Sequence, residues 1–99
     1  MKSEIFDQYL EAVCKRFDIA DDEFFSDSQE MRIVDARGML FLLCIDRPMN
    51  VKYIQDYMAR GGKRMAHSTI LHGANKMRER MINDGDIRTI VKNIEECVR

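Results

Sequence analysis

From Ile33 to Ile45 the chain is apolar nearly all the way round a helix, with Val34, Met39, Leu40, Phe41, Leu42, Leu43 and Cys44 following closely on one another. A helix with an apolar stripe can lie on a surface, but one without a polar face has to be covered on every side. Asp46-Arg47-Pro48 ends it, because proline disfavours helical backbone at the residue before it. In 99 residues a helix of this kind belongs at the centre of one domain, spanning 1–99. Its most apolar run, Met39 to Ile45, is far short of the roughly 20 residues that cross a bilayer.

The segments around it read as helices that cover it. Ile5, Phe6, Tyr9, Leu10, Val13, Cys14 and Phe17 form a stripe at spacings of one, three and four, with Ser3 as the expected N-cap of a helix over 3–17. Asp21 to Phe25 is expected to make one short turn with both phenylalanines inward, and residues 26–32 read as a polar loop. Asn50 can cap a helix through Ile54, Tyr57 and Met58, which Gly61-Gly62 breaks. A further helix begins near Ala66 or His67 and turns Ile70, Leu71, Ala74, Met77 and Met81 inward, until Asn83-Asp84-Gly85 ends it. Ile87, Ile90, Val91, Ile94 and Val98 define a last helix over about 86–98. No strand-like alternation occurs. The expected fold is all-α, with five or six helices.

Composition removes several classes. With 45% hydrophobic and 33% charged residues, five Gly and one Pro, the chain is neither collagen-like nor disordered. Met1-Lys2-Ser3-Glu4 lacks the apolar stretch of a signal peptide, so a cytoplasmic location is expected. Cys14, Cys44 and Cys97 sit far apart in apolar stripes and read as buried thiols rather than a disulfide framework. Two His and no CxxC make a structural metal unexpected, and no cofactor is implied. Cys-His and Ser-His-Asp arrangements are missing, so no enzymatic activity is expected. The eight Met read as core fillers.

Charge is more telling by position than in total. The formal net charge is only −1, yet residues 1–30 sum to −6 and residues 51–80 to +5. The chain is an electrical dipole whose basic segment would meet a polyanion first. That segment also has the outline of a helix-turn-helix: two helices joined by a Gly-containing turn, the second opening with His67, Ser68 and Thr69. Short polar side chains there can reach base edges. Lys63 and Arg64 stand where phosphates would be neutralised and where backbone N–H groups of the helix start also point. Lys76, Arg78 and Arg80 read as a solvated helix face.

Two stretches, HSTILHG at 67–73 and RIVDAR at 32–37, resemble the C-terminal DNA-binding domain of the bacterial chromosomal replication initiator DnaA. The resemblance rests on His67, Ser68, Thr69, Ile70 and His72 at that family's spacing, with Asn50–Ile54, Phe24-Phe25-Ser26 and the first helix in family order. It implies a Trp-repressor-like helix-turn-helix that binds double-stranded DNA at an initiator box. It further implies that His67 and Ser68 face bases, that Thr69 and His72 contact phosphate, and that Arg37 holds the DNA backbone. Lys63 and Arg64 fall near the family's basic residue, in a turn about two residues longer.

The departures carry expectations of their own. Ala66 replaces the family's Asp, and cannot accept a hydrogen bond from a cytosine amino group, a loss of roughly 1–3 kcal/mol of discrimination. Gln29, in an acidic loop, stands near the position of a minor-groove Arg. No G-x-x-x-x-G-K-[ST] motif occurs, so the family's ATPase module is lacking. Against sequence-specific DNA binding stands one alternative: an interaction module that has lost strong DNA binding and docks on a replication or transcription protein.

Overall fold

In the computed structural model, which describes residues 2–98, six helices follow one another with no strand among the described residues. They are α1 (Lys2–Phe17), α2 (Asp21–Phe24), α3 (Met31–Ile45), α4 (Val51–Arg60), α5 (His67–Asn83) and α6 (Gly85–Cys97). The all-α expectation holds. α3 is the axis, with every residue from Ala36 to Cys44 buried and α1 and α5 packed along it. α2, α4 and α6 complete the cover.

Local chemistry sets most of the boundaries. The Asn50 side chain accepts from Lys52 N at 2.9 Å and starts α4. Asp84 accepts from Asp86 N and Ile87 N at 3.0 and 3.3 Å, and so caps α6 one residue after α5 ends. Some expectations fail, among them Leu71, expected to turn inward but exposed on α5. Ser3 lies inside α1, which already includes Lys2, so it is not the N-cap. The loop after α2 is shorter than the polar residues suggested, because Met31 and Arg32 belong to α3. Phe24 is fully buried, while Phe25 is only half-buried and its ring lies against Gly61.

α3 and α5 approach closely because two glycines meet where they cross. A Cβ on Gly38 would stand 3.0 Å from the Gly73 carbonyl oxygen, and one on Gly73 would lie 3.4 Å from the Phe41 ring. α5 therefore sits directly on the core helix, with Ile70, Ala74 and Met77 buried and its other side free. α4 meets α1 through the Phe6 and Tyr57 rings, 5.3 Å apart.

Candidate nucleic-acid interface

The turn before α5 is built by the end of α4. Gly62 N donates to Ala59 O and Lys63 N to Met58 O, each at 3.0 Å. That pair of bonds is a Schellman closure, which needs left-handed backbone, and Gly62 supplies it at φ +106°. Gly61 serves a different purpose: any Cβ there would collide with the Phe25 ring at 2.3 Å. Gln55 on α4 then donates through Nε2 to Met65 O at 2.9 Å, pinning the segment that leads into α5. Ala66 begins the helix in extended backbone and offers no side-chain cap.

α5 opens with His67, Ser68 and Thr69 exposed, followed one turn later by exposed His72. At 100° per residue, Ser68, His72 and Asn75 share the side opposite Ile70 and Met77, whereas His67 lies about 140° round from His72. Thr69 and His72 line a cleft of about 380 Å³ between α5, α3 and the turn, together with Lys63, Arg64, Lys76 and Gln29. Five of the seven sequence-derived residues (Arg37, Lys63, Arg64, Thr69, His72) thus line one cleft, with His67 and Ser68 outside it on the first turn.

Arg37 requires a correction. It lines the deep side of the cleft but is only 5% exposed, and its guanidinium is already engaged. Nε donates to Phe24 O at 2.8 Å, Nη1 to Ser28 O at 2.8 Å and Nη2 to Ser26 O at 2.6 Å. A cation spent on three carbonyls anchors the 24–28 segment to α3 and is not presented to a DNA backbone. Burial lowers its affinity for its proton, and the Asp27 carboxylate opposes that effect.

The basic segment is largely neutralised from within. Arg60 pairs with Asp7 at 2.7 Å, Lys63 with Asp27 at 3.4 Å, Arg78 with Asp46 at 2.7 Å and Arg80 with Asp35 at 2.8 Å. All four carboxylates come from the first fifty residues. The Asp46 bond holds the Arg78 proton more firmly than usual. Among the described residues only Lys52, Arg64 and Lys76 of that segment lack an ion-pair partner, and the last two line the cleft. Reading Arg78 and Arg80 as a merely solvated face missed these links. Lys76 was missed as a cleft residue, although its i+4 spacing from His72 was the available signal.

Cys14 and Cys44 are buried, but Cys97 is exposed, contrary to its apolar-stripe reading. Burial pushes the Cys14 thiol up to about 11, with Asp21 adding to it, and Cys44 up to about 12. Among the described residues no three His, Cys, Asp or Glu side chains gather as a metal site would require, and no helix is long and apolar enough to cross a membrane. No protein-family model, curated protein or solved structure matches the chain.

Proposed function

We propose that the chain is a sequence-specific, double-stranded DNA-binding domain of the helix-turn-helix class, with α5 as its recognition helix. The observation that carries this reading is the coincidence of two features at one place. The solvent-facing side of α5 opens with short polar side chains, and the cleft beside it holds Arg64 and Lys76, cations without a carboxylate partner. A recognition helix needs both, since phosphate contacts set its register while base-edge contacts select the sequence.

In this reading Arg64, Lys76, Thr69 and His72 seat a phosphate strand, and His67 and Ser68 meet bases. Lys63 joins them to the extent that Asp27 releases it. Likeness of the 67–73 stretch to the DnaA family's signature supports a Trp-repressor-like arrangement and a site related to an initiator box. Ala66 and the engagement of Arg37 argue for a changed or weaker preference.

The deciding experiment is fluorescence anisotropy on two labelled duplexes, one bearing an initiator box and one scrambled, at low and moderate salt. Salt-sensitive binding is expected, tighter on the box if the family's preference persists. Equal salt-sensitive binding to both duplexes would mean a different site. No binding at low salt would overturn the proposal. The second reading, a protein-docking module, draws on a groove of about 630 Å³ between α1 and α6, lined in part by Ala12, Ile90, Ile94 and Val98. Absence of DNA binding would favour it.

A further inference from the structure

Resting on the DNA-binding reading, we propose that Asn75 is a base-reading residue that recognises an adenine in the major groove. Asn75 is exposed on α5, and its side chain has no hydrogen-bond partner among the described residues. An Asn in the interior of a helix costs roughly 0.6 kcal/mol relative to Ala, because its amide competes for backbone groups. No side-chain hydrogen bond in the folded chain offsets that cost. The side chain is therefore held, fully available, on the face of α5 turned away from the core.

Position narrows its task. Asn75 stands one turn beyond His72 and two turns beyond Ser68 on the same outward side, so Ser68 to Asn75 spans about 10 Å of helix. That length matches about three base steps at 3.4 Å each. Lys76, next in sequence, turns into the cleft with a free ammonium and can hold a phosphate while its neighbour meets the base. One turn further on, the outward face carries Glu79, a carboxylate that DNA would repel, and Arg78 and Arg80 are already paired. Asn75 is the last residue on this side that favours contact with DNA. An Asn amide offers one donor and one acceptor side by side, the complement of adenine N7 and N6, and this pairing distinguishes adenine from the other bases.

The test is selection of bound sites from random duplexes with the wild-type chain and with Asn75→Ala, followed by anisotropy on the selected site. The wild type should demand an A·T pair at one position, and Asn75→Ala should accept any pair there with roughly tenfold or greater relaxation. Substituting 7-deazaadenine for that adenine removes only N7. It should weaken the wild type several-fold and leave Asn75→Ala unchanged, a response that a purely structural role would not produce. Identical base preferences for the two proteins, or equal sensitivity to 7-deazaadenine, would overturn the role of Asn75 and leave the DNA-binding reading standing. If the wild type binds no duplex at low salt, that reading falls and the inference with it.

Discussion

The Lys63–Asp27 pair makes the electrostatics of α5 adjustable by one atom. The Lys63 side chain is only 13% exposed, whereas that of Asp27 is fully exposed, so the carboxylate can be altered without disturbing the core. Each phosphate neutralised on B-DNA contributes about 0.9 to the slope of log affinity against log salt. With Arg64 and Lys76 as the free cations of the cleft, the wild-type slope should be about −1.8, a loss of about 12-fold between 50 and 200 mM salt. Asp27→Asn releases Lys63 and should steepen the slope to about −2.7, a loss of about 40-fold over the same range. Binding at low salt should tighten correspondingly. Anisotropy titrations at five or six salt concentrations read both numbers, and a thermal melt checks that the fold survives. Adding Lys63→Ala to Asp27→Asn should return the slope to its starting value. An unchanged slope in Asp27→Asn, or a wild-type slope as steep as about −5, would refute the premise that internal carboxylates withhold these cations.

Other perturbations address the frame around α5. Arg37→Ala strands three carbonyls, one of them buried, and should lower stability by about 3 kcal/mol or more in urea unfolding, with Arg37→Lys restoring only part because an ammonium cannot reproduce the fork. Gly38→Ala places a methyl 3.0 Å from the Gly73 carbonyl and should cost about 1–3 kcal/mol by lifting α5 off α3; wild-type stability would contradict the close crossing. A thiol reagent should modify Cys97 quickly and Cys14 and Cys44 only in denaturant. The two buried thiols stay protonated in the folded chain to about 11 and 12, while the unfolded chain ionises them near 9. Protons are then bound more tightly by the folded state, so stability is full below about pH 9 and falls as pH rises from there toward 12. Cys14→Ala should flatten part of that alkaline loss.

How far the sequence could be read depended on the range of the interaction. Local signals worked: Pro48 follows the end of α3, Asn50 and the glycine pair bound α4, and unbroken apolarity put α3 at the centre. Terminal signals were weaker. Ser3 resembles a cap, but the helix extends past it, and Cys97 lies to one side of the buried line that Ile94 and Val98 continue, so it stays exposed. Arg37 shows the limit most clearly. Beside a basic segment an arginine reads as available to a polyanion, yet its partners are carbonyls nine to thirteen residues earlier, which leave no mark in sequence. The same holds for the four ion pairs, whose partners lie 32 to 53 residues apart where hydrogen bonds define them. The polar run on α5 was legible, but the place of Lys76 in the cleft emerged only once α3 and the turn closed around it.

The burial of α3 on all sides also dictates how the molecule opens. Helices α1 and α5 each rest on it, so neither can detach without exposing the most apolar surface in the chain. Backbone amides from Ala36 to Cys44 should therefore exchange with solvent only when the whole domain unfolds, and their exchange free energy should equal the global stability. The amides of residues 26–30, which bond only to nearby turn groups, and those of 64–66, which donate to no acceptor among the described residues, should exchange far sooner. The surface assigned to DNA thus lies on a helix whose inner face belongs to the most slowly opening part of the molecule, while the segments flanking its first turn can fluctuate without unfolding it.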